Sequence, residues 1–75
     1  MERYLNLNGN SGVVGYEIGN DSIAVSFHDN SLYLYNYAVT GQAYVDQMKA
    51  LAVAGSGLNS FISRTVRKGY AAKLR

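Results

Sequence analysis

The chain has 75 residues with no cysteine, no proline and one histidine, and its seven Lys and Arg against five Asp and Glu give a net charge of +2. One domain of this size buries only about 60–65% of the surface its unfolded chain exposes, so the core is small, and no disulfide reinforces it. A lone histidine excludes a zinc site built from the usual nitrogen and sulfur ligands, and no apolar run approaches the roughly 18 residues of a membrane span.

Met1-Glu2-Arg3-Tyr4 leads into asparagines rather than into an apolar signal core, so a cytoplasmic protein is expected and the sequon Asn20-Asp21-Ser22 is read as chance. Residues 1–12 read as a flexible N-terminal segment or a short edge strand: Leu5 and Leu7 alternate with polar neighbours in Tyr4-Leu5-Asn6-Leu7, and Asn8-Gly9-Asn10-Ser11-Gly12 is loop. Residues 13–75 read as a single α+β domain. Its first firm strand is Val13-Val14-Gly15-Tyr16-Glu17-Ile18, where Gly15 marks a bulge or a close backbone approach.

The next two strands are the strongest signal in the chain. Ile23-Ala24-Val25-Ser26-Phe27 and Leu32-Tyr33-Leu34-Tyr35-Asn36-Tyr37 have period-two patterning around His28-Asp29-Asn30-Ser31, in which Asp29 and Asn30 are turn formers. Together with the first strand they give a three-stranded antiparallel meander. A two-residue loop at Asp29-Asn30 would set the tyrosines beside Ala24, Ser26 and His28 as a surface ladder. A three-residue loop with a left-handed Asn30 would pair Phe27 with Ser31 and set them with Ile23 and Val25 as core.

After Val39 the period changes. Tyr44, Val45, Met48, Leu51 and Ala52 fall on one helical face, with Thr40 as the expected N-cap and Gly55 as the stop, giving a helix from about Gly41 to Ala54. A second helix is expected from about Leu58 to Lys68, its inner side formed by Leu58, Phe61, Ile62, Thr65 and Val66, with Gly69 as its stop. Tyr70 then packs back and Ala71 to Arg75 fray. Both helices pack across one face of the sheet. The expected core is Val14, Tyr16, Ile23, Val25, Phe27, Tyr33, Tyr35, Tyr44, Met48, Leu51, Leu58, Phe61, Ile62 and Val66.

No nucleophile, base and orienter stand at a recognisable spacing, so no enzymatic activity, cofactor, metal or small-molecule substrate is expected. His28-Asp29 reads as a solvated turn, and Gly55-Ser56-Gly57 as a joint between helices rather than a phosphate loop, because a helix and not a strand precedes it. Charge is more informative. Residues 1–46 carry Arg3 against Glu2, Glu17, Asp21, Asp29 and Asp46, a net −4, whereas residues 47–75 carry Lys49, Arg64, Arg67, Lys68, Lys73 and Arg75 with no acid, a net +6. Such asymmetry points to a polyanion. Arg64, Arg67 and Lys68 share the outer face of the second helix, Lys73 and Arg75 follow, and Tyr70 offers a ring for stacking on an unpaired base; these six are the candidate nucleic-acid contacts. The plainer reading is a solvated face whose cations complement the helix dipole. A competing function is association. With the tyrosines inward, Leu32 and Leu34 point away from the helices with Ala24, Ser26 and His28, a half-apolar face for a homodimer or another protein.

Ile23-x-Val25-x-Phe27, Tyr33-x-Tyr35, Met48-Lys49-Ala50-Leu51-Ala52, Gly57-Leu58-Asn59-x-Phe61-Ile62 and Val66-Arg67-Lys68-x-Tyr70, in that order, resemble the KTSC domain over roughly Ser11 to Lys73. That family is named after the C-terminus of some lysyl-tRNA synthetases and also occurs as free-standing small proteins in bacteria and phages. The resemblance sets the family's tyrosine pair on Tyr33 and Tyr35, its turn glycine on Asn30 and its final basic-x-x-Tyr on Arg67 and Tyr70. The sequence departs from the pattern at Thr40, where a proline is usual, and lacks a closing Tyr-Pro-Tyr. Members often carry a charged residue between the tyrosines, which implies inward tyrosines and so the three-residue loop. The resemblance implies RNA binding, suggested for the family, and no synthetase activity, since the chain has no catalytic domain.

Overall fold

The computed structural model describes residues 1–7, 9, 12–66 and 68–75. Three of the five residues expected as loop between Asn8 and Gly12, namely Asn8, Asn10 and Ser11, lie outside the described residues, as does Arg67.

The three expected strands form as β2 (Val13–Ile18), β3 (Ser22–Phe27) and β4 (Leu32–Asn36), and the chain adds two short strands, β1 (Glu2–Arg3) and β5 (Ala72–Lys73). The result is one antiparallel sheet in the order β1-β2-β3-β4-β5. The expectation of three strands is thus corrected to five, and the final residues are paired rather than frayed. Ala71 N–H donates to the Leu34 carbonyl at 2.7 Å, Leu74 N–H to that of Leu32 at 2.6 Å, and Leu32 and Arg75 exchange N–H···O bonds at 3.3 Å, so the tail is bonded to β4. At the other edge the strand falls at Glu2–Arg3 and not at Tyr4–Leu7.

Register follows from the hairpin loop. Phe27 N–H donates to Ser31 O at 2.9 Å, Asn30 N–H returns to Phe27 O at 3.0 Å, and Asn30 takes φ 70°. This is the three-residue loop, closed by a residue in the left-handed region that asparagine tolerates better than most. It pairs Ile23 with Tyr35 and Val25 with Tyr33. Because side chains alternate with period two, that pairing sends both tyrosines to the face carrying Ile23 and Val25.

The register of β2 slips between Val13 and Gly15. The bulge re-aims the strand, so Val13 is buried and Val14, expected in the core, is 46% exposed. Gly15 lets β1 approach closely, because a Cβ there would stand 3.1 Å from the Glu2 carbonyl oxygen and the edge strand would have to shift by a few tenths of an ångström.

The first helix, α1 (Gln42–Ala54), lays Val45, Met48 and Ala52 on the sheet. Val45, Met48 and Ala52 are buried as expected, but Tyr44, expected in the core, is 48% exposed at the margin of the stripe. Thr40 does not cap the helix. Gly41 occupies the N-cap position without a side-chain bond, and Thr40 Oγ1 donates to the Gly69 carbonyl at 2.6 Å, joining the start of α1 to the far end of the chain. Gly55 ends α1 as expected, in the left-handed region at φ 79°.

The second helix begins at Leu58 as expected but is α-helical only to Phe61 (α2, Leu58–Phe61), continuing as a π-helical turn over Ile62–Val66. The wider turn shifts the angular phase of its residues, so Thr65, expected inward, is exposed while Ile62 and Val66 stay buried. The core also holds Tyr4, 3% exposed, whose hydroxyl oxygen accepts the Leu58 N–H at 3.3 Å. That bond ties the N-terminal segment to the start of α2.

Candidate nucleic-acid interface

The described cations after residue 60 sit on three short pieces of backbone. Arg64 is on the π-helical turn and exposed, its Nε donating to the Ser60 carbonyl at 3.4 Å. Lys68 is exposed in the turn after it, where Gly69 N–H closes onto Val66 O. Lys73 and Arg75 are exposed on and just after β5, held against β4 by the backbone bonds of Ala71 and Leu74. Arg67 lies outside the described residues.

Electrostatically these groups are unspent. Among the described residues none of Arg64, Lys68, Lys73 and Arg75 meets a side-chain carboxylate within 4.0 Å, and the ion pair that does form joins the Met1 amino group to Glu17. Lys49 behaves differently. Its ammonium donates to the Asn20 carbonyl at 3.2 Å and to the Tyr37 hydroxyl at 3.3 Å, while Tyr37 donates to Asp46 at 2.6 Å. The cation on α1 therefore fastens the helix to the sheet, whereas Arg64, Lys68, Lys73 and Arg75 are exposed.

Tyr70 is not a free stacking surface. Its ring centroid lies 4.6 Å from that of Tyr33 and 6.3 Å from that of Tyr35, half-buried against both. Tyr35 is 2% exposed, and burial, reinforced by Tyr33 and Tyr70, pushes its phenol up to about 12. The tyrosine pair is thus core and support. Tyr33 reaches further out, edge-on to Phe27 at 5.7 Å and with the Lys73 ammonium 5.8 Å from its ring centroid.

The outer face of the sheet carries Ala24 opposite Leu34 and Ser26 opposite Leu32, with Ala72 beyond Leu34. Leu32, Leu34 and Ala24 are half-buried and Ser26 is buried, although no helix crosses them. His28, expected on this face, does not belong to it. Strand β3 ends at Phe27, so alternation ends there too, and the imidazole lies beside Gly12, where a Cβ would stand 3.3 Å from its Cδ2.

The imidazole instead borders a groove of about 490 Å³ lined by Gly12, Phe27, His28, Asp29, Ser31, Tyr33 and Asn59. Hydrogen bonds from the Ser31 hydroxyl and backbone N–H to Asp29 Oδ1, at 2.6 and 3.0 Å, hold the Asp29 carboxyl below its ordinary range, so it is an anion. Sequence reasoning missed this groove, because Asn59 is brought to the hairpin only by the packing of α2. The sole hint was the turn chemistry of His28-Asp29-Asn30-Ser31.

Among the described residues no three His, Asp or Glu side chains come together as a metal-binding set, and no helix is long and apolar enough to cross a membrane. No protein-family model, curated protein or solved structure matches the chain.

Proposed function

We propose that the chain is a non-enzymatic, free-standing module of the KTSC type, acting in the cytoplasm, that makes a weak and salt-sensitive contact with RNA through Arg64, Arg67, Lys68, Lys73 and Arg75. The observation that carries this reading is that the described cations after residue 60, namely Arg64, Lys68, Lys73 and Arg75, are exposed and lack carboxylate partners among the described residues, in a chain whose acids all lie in its first 46 residues. Phosphates replace water around such cations and release the counterions condensed on the nucleic acid, which drives association. Pairing of β5 with β4 strengthens the argument, since a held strand presents Lys73 and Arg75 at lower entropic cost than a frayed tail.

If about four of these cations meet phosphates together, log K falls against log salt with a slope of roughly −3 to −4. Fluorescence polarisation of a labelled oligouridylate measures it directly. Arg64→Glu with Lys68→Glu changes two exposed residues, so the fold persists and binding at about 20 mM salt should disappear. Undiminished binding by that variant, or a salt slope near zero, would falsify the reading.

A second reading rests on the outer face of the sheet, where Ala24, Leu32, Leu34 and Ala72 stand without a covering helix. Such a face suits a protein partner or a homodimer. Sedimentation equilibrium separates the two readings: a concentration-dependent dimer that Leu34→Lys abolishes, in a chain indifferent to RNA, would favour association.

A further inference from the structure

The groove at the hairpin tip combines features that a phosphate-binding surface does not need. Two of its lining residues are aromatic and pack edge to face, Phe27 and Tyr33, at 79° between ring planes. Four others carry hydrogen-bonding side chains of different character: His28, the Asn59 carboxamide, the Ser31 hydroxyl, which donates to Asp29 Oδ1, and the Asp29 carboxylate, which accepts and cannot donate. Its volume of about 490 Å³ lies within the range of small-ligand sites. Lys73 does not line the groove, but its ammonium sits 5.8 Å from the ring centroid of Tyr33, which does.

A carboxylate in such a position repels phosphate and favours groups with N–H donors. An aromatic wall favours a flat ring, and a cation alongside favours the phosphate attached to that ring. These demands together describe a nucleotide with its base in the groove and its phosphate outside it. Single-stranded RNA is read in this manner, by rings stacked on aromatic side chains and by hydrogen bonds to base edges. Guanine alone among the four bases presents two N–H donors, N1–H and N2–H₂, side by side on one edge, and the Asp29 oxygen other than the Oδ1 that takes both Ser31 hydrogen bonds can accept from that pair.

We propose that this groove is a subsite for one unpaired RNA base, with guanine preferred through the Asp29 carboxylate. The proposal rests on the RNA-binding reading for its biological ligand, and two parallel measurements keep the two apart. The full chain at about 20 mM salt is titrated with guanosine monophosphate and with uridine monophosphate while the NMR signals of the Asn59 carboxamide and the His28 ring are recorded. In parallel, polarisation compares labelled UUUUU with UUGUU. The guanine nucleotide should shift both signals, and UUGUU should bind about fivefold more tightly than UUUUU, the lower end of the discrimination expected of one base contact. Asp29→Asn keeps an amide oxygen for Ser31 and removes the anion, so it should erase the difference between the pentamers. Asn59→Ala, outside the hairpin, should weaken UUGUU if Asp29→Asn fails to fold. Equal binding of both pentamers with unmoved Asn59 and His28 signals overturns the groove proposal and leaves the phosphate contact standing. Shifts with the guanine nucleotide alone, in a chain that binds neither pentamer, uphold the groove and overturn the RNA reading.

Discussion

Replacing Gly55 by alanine tests the way the N-terminal segment is locked to the helices. Gly55 takes φ 79°, and a Cβ added to it would lie 2.8 Å from the Leu5 Cβ, closer than side chains tolerate. The substitution carries two separate costs. A left-handed conformation costs a residue with a Cβ about 1–2 kcal/mol. Relief of the clash must move Leu5 while Leu7 N–H stays bonded to the Gly55 carbonyl at 2.8 Å, an overpacking cost of about 1–3 kcal/mol. Gly57 supplies the control, since it sits at φ 84° but its Cβ would meet only Leu51 Cδ2 at 3.5 Å, an ordinary contact. Gly57→Ala should therefore lose only the backbone component, about 1–2 kcal/mol, and Gly55→Ala about 2–5 kcal/mol. The second figure is a large part of what a domain this small holds in reserve, about 4–11 kcal/mol. Urea denaturation monitored by tyrosine fluorescence reads both values, and a Leu5→Gly, Gly55→Ala double variant should recover the clash component as a coupling energy. Equal losses for the two alanine variants, or a double variant that is merely additive, would show that Leu5 does not pack on Gly55 in solution.

Two further outcomes are expected. The Tyr35 phenol is pushed from its ordinary 10 up to about 12 in the folded chain, so the folded state resists losing that proton. The associated stability is complete below pH 10 and is lost as pH rises from about 10 to 12; it amounts to about 2–3 kcal/mol. Denaturation midpoints measured across that interval should fall more steeply for the native chain than for Tyr35→Phe, and parallel curves would contradict the assignment. Thr40→Val removes the hydroxyl that donates to Gly69 and should cost about 1 kcal/mol. Hydrogen exchange should show Ala71 and Leu74 amides losing protection in this variant before those of β3 do, whereas uniform loss would mean that β5 is not anchored through Thr40.

How far the fold can be read from the chain depends on how many residues an element has in which to show a period. Strands β2 to β4 have five or six residues each, and alternation in Ile23-x-Val25 and Tyr33-x-Tyr35 identifies the strands but leaves two registers open, between which the left-handed Asn30 of the folded chain decides. β1 and β5 have two residues each, Glu2-Arg3 and Ala72-Lys73, too few for any period and composed largely of charges that read as exposed tail. Gly15 was legible as an irregularity, but not its effect of trading Val14 for Val13 in the core. The π-helical turn has no compositional mark, so the inward placement of Thr65 failed. At the site, the exposure of Arg64 and Lys68 follows from simple amphipathicity. The grouping of His28 with Asn59 depends on how α2 closes over the hairpin, a tertiary arrangement that local patterns do not encode.

The pairing of β5 with β4 has a consequence for the fate of partly unfolded chains. Leu32-Tyr33-Leu34-Tyr35-Asn36-Tyr37 is uncharged, aromatic and free of proline and glycine, the composition from which stacked cross-β assemblies grow. In the native sheet one flank of this segment is bonded to β3. The other is closed at Leu32 and Leu34 by the tail, and beyond them by the turn in which Thr40 N–H donates to the Asn36 carbonyl. Lys73 stands directly opposite Tyr33 on that flank, a charge that an incoming copy of the same segment would have to displace or bury. The last few residues thus guard the most self-adhesive stretch of the chain, and detachment of β5, far short of global unfolding, is the event that would open it to fibrillar growth.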